Sequence, residues 1–201
     1  MGADGGDGCV LAGVGVRSNT AAGAGGGVYV EGGGRVIEDA TVLRNEAGGK
    51  GGAVMGGGPA TIINSTFLAN VSVEEGAAVA SVGGDPAYDI AYCAFLDNDG
   101  VSVLFVDSGN VFSVRNSAIY GGVLPLHIGG GGPTVSADHT CADTDLSVYG
   151  VNNIHLDDSD YSLGNPFVVV GHRVLLAHNA TGQVVDSACV DAADPTLADV
   201  E

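Results

Sequence analysis

Asp157, Asp158 and Asp160 lead the residues of this chain that could do chemistry, followed by the pairs Asp143 with Asp145 and Asp97 with Asp99. Acid–base cleavage of a glycosidic bond needs two carboxyl groups facing one cleft. Calcium-assisted elimination needs clustered carboxylates and a basic residue that takes a proton. Each group is local in sequence and flanked by small or polar residues, the texture of a solvated loop. The expectation is a binding site at Asp157, Asp158 and Asp160, with no required cofactor, calcium being the one ion open to it, and no assigned catalytic or metal-ligating residue.

Partners for these acids are few. Arg17, Arg35, Arg44, Lys50, Arg115 and Arg173 are spread along the chain. Arg115 is placed to face outward beside Asp89 or Glu38 as a surface charge pair. The histidines, His127, His139, His155, His172 and His178, all fall in the C-terminal third without the spacing of a metal pair. No nucleophile elbow and no phosphate-binding glycine loop is present. The chain has no Trp, and Tyr29, Tyr88, Tyr92 and Tyr120 are the rings that could stack on a sugar or fill a half-buried strand. Cys9, Cys93, Cys141 and Cys189 form no Cys-x-x-Cys pair. Cys93 reads as a small core residue in mid-strand. A Cys141–Cys189 disulfide is open to the chain in an oxidising compartment. Asn64, Asn70 and Asn179 satisfy the glycosylation pattern, but Asn64 and Asn70 also fit a ladder role.

The charge narrows the partners further. Twenty-four acids against six bases give a formal net charge of −18. That field repels phosphate backbones, so nucleic acid is not an expected ligand. No apolar run approaches the roughly 18 residues of a membrane span. The first residues lack the basic and apolar regions of a secretion signal, and read as a cut through a longer chain.

The elements that must position these side chains follow from a repeat. Val42-Leu43-Arg44-Asn45, Phe67-Leu68-Ala69-Asn70 and Phe95-Leu96-Asp97-Asn98 carry one signature, with asparagines 25 and 28 residues apart and Asn19 one period earlier. A fixed period of this size means a stacked repeat architecture. Aligned on the asparagines, Ile37, Ile62, Ile90 and Val114 form one apolar column, and Val42, Phe67, Phe95 and Ile119 another. Asp39, Asn64 and Asn116 form a polar column broken by Tyr92. A second strand repeats as Gly27-Val28-Tyr29-Val30, Gly52-Ala53-Val54-Met55, Ala77-Ala78-Val79-Ala80 and, more weakly, Gly100-Val101-Ser102-Val103. Glycine and β-branched residues dominate, and no segment keeps a helical period. The expected fold is all-β, a right-handed parallel β-helix with about 25 residues per coil. Asn45, Asn70 and Asn98 would ladder at one corner, bonded to the backbone of neighbouring coils. Residues 1–124 would hold the regular coils, and 125–201 less regular terminal coils and a closing segment of the same domain.

Gly51-Gly52-Ala53-Val54, combined with Phe67-x-x-Asn70 and Phe95-x-x-Asn98, resembles the repeats of chlamydial-type polymorphic outer-membrane proteins and related bacterial surface β-helix proteins. Asn165-Pro166-Phe167-Val168, with Asp186 to Ala192, is similar to the closing segment of many large bacterial β-helix proteins. The resemblance implies secretion, display at the bacterial surface and adhesion or carbohydrate contact. Two readings follow. One is a non-catalytic surface module, a stalk or adhesin-type segment of a larger chain, presenting loops at Val71–Gly76 and Gly121–Pro133 to a carbohydrate or a host or cell-surface protein. The other is a polysaccharide lyase or hydrolase, calcium-dependent.

Overall fold

The computed structural model describes residues 8–155 apart from 33, 84, 85 and 123, together with the backbone of 167–170 and 173–176. The first coil runs through β1 (Cys9–Ala12), β2 (Gly15–Arg17), β3 (Thr20–Ala21) and β4 (Val28–Val30). The second repeats it as β5 (Arg35–Glu38), β6 (Thr41–Leu43), β7 (Glu46–Ala47) and β8 (Val54–Gly56). The third holds β9 (Ala60–Ile63), β10 (Thr66–Leu68), β11 (Val71–Ser72) and β12 (Val79–Ser81). The fourth keeps β13 (Ala87–Ala91), β14 (Ala94–Leu96) and β15 (Leu104–Val106), and the fifth β16 (Val111–Arg115), β17 (Ala118–Tyr120) and β18 (Leu126–Ile128). β19 (Thr134–Asp138), β20 (Cys141–Ala142) and β21 (Ile154–His155) continue the stack. β22 (Phe167–Val170) and β23 (Arg173–Leu176) pair with each other, antiparallel.

Every pairing within the coils is parallel, and like strands stack on like. Sheet A is β1-β5-β9-β13-β16-β19, sheet B is β2-β6-β10-β14-β17-β20-β21, and sheet D is β4-β8-β12-β15-β18. A short sheet C joins β3, β7 and β11. The result is a parallel β-solenoid, all-β and without a helix among the described residues.

The ten-residue rows aligned in the sequence are not single strands. Each breaks between sheets A and B at a residue in the left-handed region: Asp39 (φ 51), Asn64 (φ 47), Tyr92 (φ 54) and Asn116 (φ 47). The polar column is therefore a column of bends, because Asp and Asn tolerate this conformation better than most residues. Cys93 sits at that bend rather than in mid-strand. Its backbone N–H donates to the Ser117 hydroxyl at 3.1 Å, and its thiol to the Ala91 carbonyl at 3.2 Å. A second left-handed column, Arg44 (φ 51), Ala69 (φ 52) and Asp97 (φ 50), turns the chain just before each ladder asparagine.

Within the coils, Ile37, Ile62, Ile90 and Val114 are register partners in sheet A, and Val42, Phe67, Phe95 and Ile119 in sheet B. All eight are buried. Phe67 stacks on Phe95 with ring centroids 4.9 Å apart, and Tyr88 on Phe112 at 5.6 Å. Asn45, Asn70 and Asn98 are fully buried. The Asn70 carboxamide oxygen accepts from both the backbone N–H and the side-chain amide of Asn45, each at 3.0 Å. Asn98 takes the same two bonds from Asn70, at 3.1 and 2.9 Å. The remaining N–H of Asn70 donates to Val42 O at 2.9 Å, and that of Asn98 to Phe67 O at 3.0 Å. A buried polar group is tolerated only when bonded in this way.

Sheet D differs from its sequence alignment in register. Val28 pairs with Val54, one residue later than aligned, and Val79 with Leu104, so the fourth copy is Ser102-Val103-Leu104-Phe105. A one-residue slip exchanges the two faces of a strand. The correction turns Tyr29, Met55, Ala80, Phe105 and His127 into one row on a single face.

Candidate functional site

The repeat spends its columns on the interior, so any site lies on the outward faces. Alternation places Thr61, Asp89, Ser113 and Ser136 in one row outside sheet A, with Ile63, Ala91, Arg115 and Asp138 in the next. Arg115 grips the Asp89 carboxylate with both terminal nitrogens, at 2.5 and 3.1 Å. Both side chains keep about two fifths of their surface in solvent, 39% and 43%. Asp138 accepts from the Val151 backbone N–H at 2.9 Å. At the bend bordering this face, the Asn64 amide donates to Asp39 at 2.6 Å, and the Asn152 amide meets the His139 ring at 2.8 Å. Tyr92 stands half-buried between them. The face thus offers hydroxyls, an amide, an imidazole and a bidentate ion pair on a regular strand lattice. That suits hydrogen bonding to a hydroxyl-rich or polar partner better than proton transfer, since the Asp89 carboxylate is already engaged.

A second group forms where the chain leaves sheet B. The Gly121 N–H donates to one Asp143 oxygen at 2.9 Å, while the other is buried without a partner. Burial pushes the Asp143 carboxyl up, opposed by the Gly121 N–H and the nearby His155. Asp145 is held below the usual carboxylate range by hydrogen bonds from Ser147, whose backbone N–H lies at 2.8 Å. Asp97 lies on the other side of Gly121, where a Cβ would come within 2.7 Å of its Oδ1. Gly121 (φ 69) lets the turn pass between the two acids. Asp97 and Asp143 therefore flank Gly121, with His155 near Asp143 and Asp145. Asp99 pairs instead with Val71 in an isolated bridge. Asp157, Asp158 and Asp160 lie outside the described residues. Among the described residues no group of three or more His, Cys, Asp or Glu is placed to hold a metal ion.

Sequence reasoning missed a third group, on the corrected row of sheet D. The Lys50 ammonium sits 4.1 Å above the Phe105 ring and 3.3 Å from Glu75. His127 packs against the same ring, centroids 5.5 Å apart, with its Nδ1 buried and unpartnered. Burial works against the Glu75 carboxylate, but its own backbone N–H and Lys50 hold it below the usual range. The Leu104-Phe105 pair was the available signal, hidden by the two-residue slip in alignment.

Other expectations are corrected. Tyr88 is not a surface ring: it is buried, its hydroxyl reaches the space that a side chain at Gly56 would fill, and burial raises its phenol above the ordinary range. Gly121–Pro133 is not a free loop, because β18 within it closes sheet D. Val71 and Val73 are exposed as expected of a presented segment, although Val71 belongs to β11. Arg35, one of the scattered bases, points into the first coil and is buried, its guanidinium donating to the Glu31 carbonyl at 2.8 Å. It borders a cavity of about 370 Å³ at that end of the lumen, walled by Leu11, Val16, Val28 and Ile37.

No family model matches the chain, and neither a curated protein nor a solved structure matches it. Among the described residues no helix is long and apolar enough to cross a membrane.

Proposed function

We propose that the chain is a non-catalytic β-solenoid module of a secreted or bacterial cell-surface protein, a stalk or adhesin-type segment that meets a carbohydrate or a cell-surface protein. The observation that carries this reading is the outer face of sheet A, where the Asp89–Arg115 pair lies flat among Thr61, Ser113 and Ser136. A rigid lattice of hydroxyls beside a bidentate pair supplies directional bonds without a reactive group. The likeness of the Gly51–Val54 and Phe67–Asn70 motifs to polymorphic outer-membrane repeats supports display at a surface. The test is binding to a panel of immobilised polysaccharides and cell-surface extracts. Binding that falls in Arg115→Ala and in a Ser113→Ala/Ser136→Ala pair supports the reading; binding indifferent to both removes this face from it.

A second reading, a polysaccharide lyase or hydrolase with calcium as its ion, is favoured by one observation. Asp143 and Asp145 lie near His155, and burial raises the Asp143 carboxyl in the direction a general acid needs. Incubation with uronic-acid polymers and calcium separates the two readings. New unsaturated ends, abolished by Asp143→Asn, would replace the first reading with the second.

A further inference from the structure

Sheet C turns Thr20, Glu46 and Val71 outward in one column, and Asp99 bridges to Val71 from the next coil. Val71 thus stands between two acids, 38% exposed. Val73, two residues on and so on the same side, is 69% exposed. In the coil before, Gly48 takes the place of Val73. Val101, in the coil after, donates its N–H to the Glu74 carbonyl at 3.3 Å and is 47% exposed. Three valines therefore form an apolar ridge on a column that begins polar. A ridge of this kind, rimmed by polar groups, is the mark of an interaction surface.

The ridge is held in place before anything binds. The Val73 N–H donates to the Ala47 carbonyl at 3.1 Å, and the Ser72 hydroxyl to the Glu74 carbonyl at 2.7 Å. Valine is stiff about χ1, so covering it costs little side-chain entropy. The rim says what the cover is. Glu46 and Asp99 flank Val71, Glu74 follows Val73, and all three acids are exposed. Of the bases nearest in the chain, Lys50 is paired with Glu75 at 3.3 Å, and Arg44 lies at the bend before β7. Aliphatic groups set between carboxylates are complementary to aliphatic groups set between cations.

We propose that the Val71–Val73–Val101 ridge, with Glu46, Glu74 and Asp99 around it, docks a basic aliphatic segment of a partner protein, in which Leu, Ile or Val are interspersed with Lys or Arg. The partner's aliphatic groups cover the valines, and its cations reach the carboxylates of the rim, where solvent keeps each pair weak but oriented. The net charge of −18 draws such a segment in, and the valines decide where it stops. This surface lies on a different sheet from the Asp89–Arg115 face, so the two readings stand or fall separately.

Fluorescence anisotropy with three short labelled peptides tests the proposal: one of Lys and Leu, one of Lys and Ser at the same charge, and one of Glu and Leu. The Lys/Leu peptide should bind most tightly, and on titration the backbone amide shifts should centre on residues 71–74 and 99–101. Val71→Thr/Val73→Thr/Val101→Thr keeps the β-branched shape, as Thr20 already does in this column, and should weaken binding about tenfold or more. Glu46→Gln/Glu74→Gln/Asp99→Asn should weaken it about fivefold or more and flatten its salt dependence. Arg115→Ala should leave it unchanged, and urea midpoints of both triple variants check their folding. Equal binding of the Lys/Leu and Lys/Ser peptides, or an undiminished affinity in the valine variant, would reduce the attraction to the diffuse field of the chain and overturn the proposal. Glu/Leu binding as tight as Lys/Leu, self-association of the protein that is lost with the valines, or no binding at all would do the same. Amide shifts centred elsewhere on the wild-type protein would refute it without any variant.

Discussion

Sheets A and B are built from the same coils, turn by turn, and differ in what their strands show to the outside. Outside sheet A stand Thr61, Asp89, Ser113 and Arg115; outside sheet B stand Leu43, Leu68, Leu96 and Tyr120. Their inner faces are alike, aliphatic and aromatic columns buried in one core. Alternation along a strand therefore tells which residues share a face, and the chemistry of the second face tells whether water or protein meets it.

The largest effects should come from side chains on the two faces of sheet B. Phe95→Ala should cost about 3–5 kcal/mol, the usual loss for emptying an aromatic site. Leu96→Ala should cost about 2–4 kcal/mol if its outward face is core-like. Ser113→Ala, its counterpart outside sheet A, should stay within about 0.5 kcal/mol. Urea unfolding midpoints of the three variants decide the matter; a Leu96→Ala loss as small as that of Ser113→Ala would erase the contrast between the faces.

Asn70→Leu probes the border between sheet B and sheet C. It strands two donors of Asn45 and takes the side-chain donor from the Val42 carbonyl, while the Asn98 oxygen keeps the backbone N–H of residue 70, at a cost of about 3 kcal/mol by the same measurement. Cys93, at the bend between sheets A and B, gives a smaller and pH-dependent effect. Burial pushes its thiol from 9.0 up to about 12. The unfolded chain ionises first, so this contribution is whole below pH 9 and is lost as pH rises towards about 12. Native protein at pH 8 should leave Cys93 unmodified by iodoacetamide, and Cys93→Ser should flatten the alkaline end of the stability curve. Ser suits the position because Ser65 and Ser117 occupy it in neighbouring coils, each hydroxyl bonded to the carbonyl two residues back. The smallest effect belongs to sheet A. Arg115→Ala breaks a pair exposed to solvent and should cost less than about 1 kcal/mol, with the loss shrinking further in salt.

Much of the fold was legible because identical positions of successive coils touch. The Asn45–Asn70–Asn98 spacing, 25 and 28 residues, is the hydrogen-bond path itself. The bends at Asp39, Asn64 and Asn116 were visible as residue types but not as geometry, since Tyr92 and Ala69 adopt the same left-handed conformation without announcing it. The outer groups were harder. Of them, the pairing of an outward Arg115 with Asp89 was legible, and the coil register selects it over Glu38. The Lys50–Phe105–His127 group depends on the register of sheet D, where unequal corners shift the period. Asp97 and Asp143 each border Gly121, a residue with no side chain to signal a site.

The hydrogen bonds that join one coil to the next run along the axis of the stack, and this gives the molecule a mechanical character. Tension applied between its two ends loads the outermost coil alone, rung by rung, rather than all coils together. Each coil that yields lets out about 25 residues, roughly 85 Å of extended chain, where it had occupied about 4.8 Å of height. A stretched molecule would lengthen in even steps, as a tape does when it unrolls. The asparagine rungs would then set the force at which the middle steps occur.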